Sequence, residues 1–290
     1  MRVDLLLVIA ALLALAPMVW AAFWKEGFAR WTAKLPVGVR VVAPGLLCGV
    51  YALVTVGRGL FEWRWLAVYL LLPIAVAGVL AWAAVADPEQ SGDRREFVVL
   101  LVLVLAVDLR WFEPAWPRGM SVFNKIVLLD AGIWGFGAVR RLKGVGFDLR
   151  LRWRDVRVGL REFLFYAPVA ILLGLGFLHV HARWPEGWRL VSAFVFTFFF
   201  IAVPEELFFR GWMQNLLERR VGRYWALALT AAVFGLAHFN KRAVHFNWRY
   251  VLMAALAGVF YGRAWRQERR MGASAVTHTF VDTVWSMWLR

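Results

Sequence analysis

Apolar runs recur along the whole chain and alternate with short charged segments. Each run has about 17 to 25 residues, the length that one helix needs to cross the hydrocarbon core of a bilayer. The short segments of alternating polarity that indicate a transmembrane barrel are missing from the sequence. The pattern therefore predicts an all-α fold, a polytopic transmembrane helical bundle of about 8 to 10 spans. The runs delimit these candidate spans: 4–24, 39–57, 64–86, 96–112, 121–139, 158–180, 188–217, 224–240, 247–264 and 271–289.

Composition and charge support a membrane protein and argue against other classes. A soluble domain carries about 25% charged residues, whereas this chain carries 18% and is 62% hydrophobic. The net charge of +15 would otherwise suggest nucleic acid, but Lys and Arg are concentrated in short loops between the apolar runs. Because the positive-inside rule describes that distribution, we expect membrane lipid and no nucleic acid as a partner. The single cysteine, Cys48, excludes an intramolecular disulfide and a Cys-x-x-Cys metal site.

The basic loop 140–157 is the predicted boundary between two parts of the chain. Residues 1–150 hold N-terminal transmembrane helices of unknown role, and residues 151–290 hold the stretches that could carry chemistry. Within the loop, the stretch Arg150–Arg157 alternates basic and apolar residues. Two interpretations of this stretch stay open. It lies along the lipid headgroups with its arginines facing phosphate, or it is a solvated loop that sets the topology.

Beyond Arg189 at its start, the long apolar run 188–217 contains three ionisable residues: Glu205, Glu206 and Arg210. An ionisable side chain near the bilayer centre costs about 2.5 kcal/mol or more, which favours a functional role. Glu206 and Arg210 are four residues apart and share one helix face, which predicts an internal ion pair. Glu205 points elsewhere and is the candidate acid or base, because two carboxylates in a low-dielectric site cannot easily both ionise without a cation. A purely structural packing network is the alternative.

Two later spans supply candidate partners for these carboxylates. His238 lies among apolar residues and is a candidate base or metal ligand. His278 and Asp282 are four residues apart in the last span and share a helix face. His278 is a candidate donor to an oxyanion, or a metal ligand, and Asp282 is its candidate orienting partner. Glycines nearby predict close helix contacts or a tight helix entry: Gly235, Gly258, Gly262 and Gly272.

Other ionisable residues within or near the spans are interpreted as structural. Asp130 lies deep in the fifth span and is predicted to make a hydrogen bond between packed helices. Three further histidines lie near span ends and are interpreted as interfacial: His179, His181 and His245.

The set of two glutamates, two histidines and an aspartate predicts acid–base hydrolysis of an amide inside a membrane cavity. One carboxylate and one imidazole would hold and deprotonate a water, and the second imidazole would stabilise the tetrahedral oxyanion. No Ser or Cys stands beside a base in a recognisable nucleophile arrangement. Two other classes remain as alternatives. One is a non-catalytic scaffold or immunity-type membrane protein, and the other is a transporter whose buried carboxylates relay protons.

The motifs occur in order, each in a separate span: Glu205-Glu206-Leu207-Phe208-Phe209-Arg210, Phe234-Gly235-Leu236-Ala237-His238 and His278-Thr279-Phe280-Val281-Asp282. This ordered set resembles the CPBP family. These are the CAAX-protease and bacteriocin-processing membrane proteins, also called Abi proteins, and they include the Rce1 prenyl-protein endopeptidases. The resemblance covers about residues 188–290, and residues 1–150 carry none.

The resemblance implies a glutamic-type intramembrane peptidase. The catalytic residues that it implies are Glu205, His238, His278 and Asp282, and the supporting residues are Glu206 and Arg210. By it, Glu205 with His238 would activate the water, and His278 with Asp282 would form the oxyanion site. The family often has Asn where this sequence has Asp282. Because an ionised Asp cannot donate a hydrogen bond, Asp282 would have to be protonated or act by orienting His278.

The resemblance also implies which cofactors, substrate and location to expect. We expect no cofactor, but two His and two Glu could bind zinc, so a zinc-dependent variant with ligands Glu205, His238 and His278 stays open. The expected substrate is a membrane-bound or lipidated peptide or protein. The expected location is the bacterial cell inner membrane, with the chain as an integral multi-pass protein.

Overall fold

The long apolar segments of the sequence form helices. The computed structural model describes residues 5–177, 187–240 and 245–288, and within these ranges it contains no strand. The prediction of an all-α helical bundle is therefore confirmed. The chain separates into two compact units, Met1–Lys143 and Gly144–Arg290. The predicted roles of residues 1–150 and 151–290 stay predictions.

The first unit consists of helices that follow the predicted spans closely. They are α1 (Leu5–Phe23), α2 (Lys25–Lys34), α3 (Val37–Val42), α4 (Cys48–Val56), α5 (Trp63–Ala86), α6 (Arg94–Asp108) and α7 (Val122–Gly132), which continues as a π-helix over Ile133–Val139. The segment between the first two predicted spans was expected to be a loop, but α2 occupies it. The reason is that Lys25–Lys34 is amphipathic rather than apolar, so a search for apolar runs does not detect it.

Aromatic residues and the amide of Asn124 form a buried hydrogen-bonded cluster in the first unit. The Tyr69 hydroxyl donates to Asn124 Oδ1 at 2.7 Å, and the Trp116 indole donates to the same hydroxyl at 2.5 Å. Tyr51 stacks on Tyr69 with ring centroids 5.3 Å apart. Asp130 is fully buried, yet neither of its carboxylate oxygens has a hydrogen-bond partner among the described residues. The predicted packing hydrogen bond of Asp130 is therefore wrong for this part of the chain.

The second unit contains the remaining helices. They are α8 (Trp153–Phe177), α9 (Gly187–Thr197), α10 (Val203–Glu206), α11 (Asn215–Val221), α12 (Arg223–Leu236), α13 (Trp248–Glu268) and α14 (Met271–Trp288). Two π-helical segments, Phe198–Ala202 and Leu207–Gln214, join α9 to α10 and α10 to α11. The predicted span 188–217 is thus one helical stretch that changes its winding on both sides of Glu205 and Glu206.

Among the residues that the structure describes, five helical stretches are long and apolar enough to cross a membrane: Leu5–Phe23, Val37–Val56, Trp63–Ala86, Val122–Val139 and Arg189–Val221. The other predicted spans also coincide with helices of the structure. These helices are shorter or carry more charge, so they fall outside the same criterion.

At glycine positions, α13 packs closely against α12 and against the π-helical segment Leu207–Gln214. A Cβ atom on Gly262 would lie 2.4 Å from Leu227 Cδ1 and 2.5 Å from Gln214 Oε1, and one on Gly235 would lie 2.5 Å from the Val251 carbonyl oxygen. Real Cβ atoms do not approach so closely. At Gly235 the neighbour is backbone, so only glycine fits there, whereas at Gly262 the Leu227 and Gln214 side chains would have to shift. The prediction of close helix contacts at these glycines is confirmed.

A buried arginine anchors the start of α14. Arg270 donates to Asp155 at 3.0 Å, to Asp148 at 2.9 Å and to the Arg150 carbonyl at 2.9 Å. Burial alone raises the pKa of the Asp148 carboxyl, but hydrogen bonds from Arg150 and Arg270 outweigh it and hold that pKa well below its usual range. This network fixes the loop before α8 against the junction between α13 and α14.

Candidate functional site

The two glutamates lie where the backbone departs from regular α-helix on either side. Pro204 has no backbone N–H, so the carbonyl one turn earlier loses its ordinary partner. π-Helical turns are found mainly as short insertions and often at functional sites, and here they precede and follow the four residues of α10. The missing N–H of Pro204 agrees with this change of winding.

Glu206 is the fully buried member of the pair, and it contacts two other buried side chains. Its Oε1 lies 2.9 Å from Nδ1 of His278, and its Oε2 lies 3.3 Å from Nε of Arg210. None of these three side chains has more than about 1% of its surface exposed. Arg210 also donates through Nη2 to the Gly258 carbonyl at 3.1 Å. The predicted pairing of Glu206 with Arg210 is present in the structure.

This contact assigns the orientation of the His278 ring. A carboxylate held beside Arg210 accepts hydrogen bonds and cannot donate them, so Nδ1 of His278 carries a proton and donates to Glu206. The other ring nitrogen, Nε2, then points at two further carboxylates. It lies 3.5 Å from Asp282 Oδ2 and 3.8 Å from Glu205 Oε2. Three of the predicted residues therefore meet around the His278 imidazole: Glu205, Glu206 and Asp282.

Glu205 differs from Glu206 in its access to the surroundings. Its side chain is 33% exposed, whereas that of Glu206 is completely buried. Its Oε2 has no hydrogen-bond partner within the described ranges. Adjacent carboxylates in the sequence thus occupy different environments, one paired with a cation and one open towards the space beside His278.

His238 reaches this cluster indirectly, through Phe234. Its Nδ1 donates to the Phe234 carbonyl at 2.8 Å, and in the neutral ring this leaves Nε2 with the free lone pair. The His238 ring packs on the Phe234 ring with centroids 4.7 Å apart and stacks on Tyr250 at 6.1 Å. Phe234 also presents its edge to His278 at 5.7 Å. Among the described residues, His238 has no hydrogen bond to Glu205.

Tyr261 belongs to the site, although the sequence reasoning did not select it. Its ring stacks on the His278 ring with centroids 4.5 Å apart and an interplanar angle of 14°. The Arg210 guanidinium lies 5.5 Å from the Tyr261 ring and 4.8 Å from the Phe234 ring. The available signal was its place between Gly258 and Gly262, two glycines of α13 that pack closely against neighbouring residues.

The ligand set of the zinc alternative is not assembled in this arrangement. Across residues 5–177, 187–240 and 245–288, no group of three or more His, Cys, Asp or Glu side chains is placed to hold a metal ion. Glu205 and His278 are close, but His278 already faces carboxylates through both nitrogens. Of the histidines interpreted as interfacial, His245 is exposed, and His179 and His181 lie outside the described residues.

The fold and the site together define an integral membrane protein with a buried glutamate–histidine cluster. Residues 187–284 match the family model described as Rce1-like, type II CAAX prenyl endopeptidase Rce1-like. This match includes every predicted site residue and confirms the resemblance over that segment. It supports a membrane-embedded protease. No curated protein and no solved structure matches the chain significantly.

Proposed function

We propose that the second unit is an intramembrane endopeptidase in which Glu205 activates the water that hydrolyses a peptide bond. The observation that carries this proposal is the contrast between the two glutamates. Glu206 is buried and paired with Arg210 and His278, whereas Glu205 is partly open and has an oxygen without a hydrogen-bond partner among the described residues. A general base needs this second environment, because it must reach the proton that it removes.

In the proposed reaction, Glu205 takes a proton from a water molecule and the resulting hydroxide attacks the carbonyl carbon. The tetrahedral intermediate then collapses, the C–N bond breaks, and the proton passes from Glu205 to the leaving amine. His238 assists by accepting a hydrogen bond from the water through Nε2, the ring nitrogen left free by its bond to Phe234. No serine or cysteine nucleophile and no covalent intermediate is required.

His278 is the proposed stabiliser of the oxyanion. Glu206 holds its Nδ1, and Tyr261 stacks on its ring, so Nε2 is aimed into the space beside Glu205. Because carboxylates face both nitrogens, we assign a proton to each of them, and Nε2 can then donate to the oxyanion. A preorganised donor of this kind typically contributes a factor of about 100 to 1,000 in rate. Asp282 lies next to the same nitrogen. We assign it the role of orienting His278, since an ionised carboxylate cannot itself donate to an oxyanion.

The proposed substrate class follows the description of the matched family, which names a CAAX prenyl endopeptidase. The chain would act on a membrane-bound peptide with a lipidated carboxyl-terminal region, in the bacterial cell inner membrane. We propose a reaction without a metal ion. Metal analysis of the purified protein tests this point, because tightly held stoichiometric zinc would replace the metal-free mechanism by the zinc-dependent one.

The test uses purified protein reconstituted in lipid and a library of membrane peptides. The library contains a farnesylated CAAX peptide and the same peptide without the prenyl group. We expect wild-type protein to cleave, with preference for the farnesylated peptide, and Glu205→Gln not to cleave. Equal cleavage of both peptides would remove the prenyl preference but keep the peptidase. Failure of the folded wild-type protein to cleave any peptide would contradict the peptidase and favour a non-catalytic scaffold.

A further inference from the structure

A basic groove lies on the second unit, where α8 begins and α13 ends. It has a volume of about 580 Å³, and these residues line it: Trp153, Arg154, Arg157, Val158, Arg161, Gln267 and Glu268. Three of the lining side chains are arginines and one is a carboxylate. None of these residues belongs to the glutamate–histidine cluster, so the proposed peptidase reaction leaves the groove unexplained.

The arginines share one side of the first two turns of α8. Arg154, Arg157 and Arg161 are spaced by three and four residues, the spacing that places side chains on one helix face. Arg154 pairs with Glu268 at 2.6 Å, and Arg161 pairs with Glu162 at 2.9 Å. Arg157 is exposed and has no ion-pair partner within the described part of the chain. The groove therefore retains positive charge that its own carboxylates do not neutralise.

A buried carboxylate holds the floor of the groove in place. Glu162 is completely buried; its Oε1 accepts hydrogen bonds from Arg161 at 2.9 Å and Gln267 at 3.0 Å, and its Oε2 forms an ion pair with Arg263 at 3.0 Å. Two of these partners come from α13, so Glu162 ties the two helices together beneath the groove. The Arg161 side chain is consequently held in one position. Such preorganisation favours the binding of a defined ligand.

The same face of α8 continues as an exposed apolar strip. Leu164, Phe165 and Leu172 follow Arg157 and Arg161 at helical spacing, and all three are exposed. Trp153, at the opposite end of the strip, is 80% exposed. Tryptophan and arginine at the end of an apolar helix face are typical of the headgroup level of a bilayer. The ligand that fits a basic groove next to an apolar strip has an anionic head and apolar chains.

We propose that the groove binds one anionic membrane phospholipid, with its phosphate held by Arg157 and Arg161 and its acyl chains along Leu164, Phe165 and Leu172. Arginine suits this ligand because its guanidinium donates two parallel hydrogen bonds to phosphate oxygens. A polybasic protein segment is excluded as the occupant by the sign of the charge. A soluble phosphate would use the arginines but leave the apolar strip without a role.

The start of α8 bears on the two interpretations of the stretch Arg150–Arg157. Its second half is not a loop, because α8 starts at Trp153. The basic residues that belong to the helix line the groove, whereas Arg152 precedes the helix and does not. Arg157 and Arg152 therefore form a matched pair of exposed arginines, one inside and one outside the proposed site.

The test compares Arg157→Gln with Arg152→Gln in full-length protein. Native mass spectrometry counts phosphatidylglycerol molecules retained after purification from nanodiscs of that lipid, with phosphatidylcholine nanodiscs as reference. We expect wild type and Arg152→Gln to retain one phosphatidylglycerol. Arg157→Gln should retain about fivefold less, the factor expected for one basic residue at an anionic surface. Arg157→Lys, which keeps the charge but not the fork of donors, should fall between them and serves if Arg157→Gln does not fold.

Other outcomes would overturn the proposal. If Arg152→Gln and Arg157→Gln lose equal amounts of bound phosphatidylglycerol, the lipid responds only to the overall charge of the protein. If both variants retain as much lipid as wild type, the groove is not the binding site. If millimolar inorganic phosphate displaces the bound lipid or reproduces its thermal stabilisation, the groove is a site for soluble anions. None of these results depends on peptide cleavage, so they do not bear on the proposed peptidase.

Discussion

The Nδ1 atom of His278 lies 2.9 Å from Oε1 of Glu206, and both side chains are buried. This contact joins the last helix to the stretch that carries the paired glutamates, over a separation of 72 residues in sequence. It orients the imidazole so that Nε2 faces Glu205 and Asp282. One hydrogen bond therefore links the stability of the second unit to the geometry that we propose for catalysis.

Arg210→Gln should destabilise the second unit strongly. It leaves Glu206 buried without its cation, and breaking a buried ion pair from one side costs about 3 to 5 kcal/mol. Thermal unfolding in detergent measures the loss, and Arg223→Gln, an exposed arginine at the start of α12, is the control. The double variant Glu206→Gln/Arg210→Gln should recover part of the loss. A double variant less stable than Arg210→Gln would contradict the pairing.

Tyr261 should act as a positioning residue for His278. Tyr261→Phe keeps the ring that stacks on the imidazole, whereas Tyr261→Leu removes it. Aromatic pairs contribute about 0.5 to 1.5 kcal/mol beyond burial, so we expect Tyr261→Leu to lower kcat by about three- to tenfold with KM unchanged. Tyr261→Phe should stay close to wild type. A fall in kcat that is the same in both variants would assign the effect to the hydroxyl instead of the stack.

Asp148→Asn should reduce the loss of folding stability that the wild-type protein shows as the pH falls into the acid range. Hydrogen bonds from Arg150 and Arg270 hold the pKa of Asp148 below its usual range, so the folded state is stabilised at pH values above the unfolded pKa near 4. That stabilisation is lost as the pH falls below 4 towards the lower pKa of the folded state. At pH 7 the variant should lose about 1.5 to 3 kcal/mol, and its melting temperature should approach that of wild type below pH 4. A difference that is constant with pH would contradict the charged pairing.

Gly262→Ala should separate α13 from its neighbours. The added methyl group would meet Leu227 Cδ1 and Gln214 Oε1 so closely that both side chains would have to shift within a packed contact, and overpacking of this kind costs about 1 to 3 kcal/mol. Gly49→Ala is the control, since a Cβ atom there would meet nothing within 4 Å. Melting temperatures of the two variants check the prediction, and equal melting temperatures would rule out a tight contact at Gly262.

The helices could be predicted from the sequence because apolar runs of membrane length are a strong one-dimensional signal. The same signal could not detect α2, whose polar face is solvated, and it could not foresee that the stretch around Pro204 changes to π-helix on both sides. Asp130 illustrates another limit. Its depth in the span could be read from the sequence, but its lack of a described hydrogen-bond partner depends on which side chains surround it.

The sequence predicted which residues belong to the site better than it predicted the contacts between them. A separation of four residues predicted that Glu206 contacts Arg210 and that His278 contacts Asp282, because such pairs share a helix face. The contact between Glu206 and His278 arises from packing of distant helices, and no local pattern encodes it. Tyr261 was missed for the same reason. The roles assigned to Glu205 and His238 stay predictions.

The most direct measurement of the central claim is the single-turnover cleavage rate of Glu205→Gln beside that of Glu206→Gln, each with its melting temperature. Removing a general base typically lowers the rate by about 100- to 10,000-fold. We expect that loss in Glu205→Gln at an unchanged melting temperature, and a lowered melting temperature in Glu206→Gln. Folded Glu205→Gln that cleaves at the wild-type rate would contradict the assignment of Glu205 as the base.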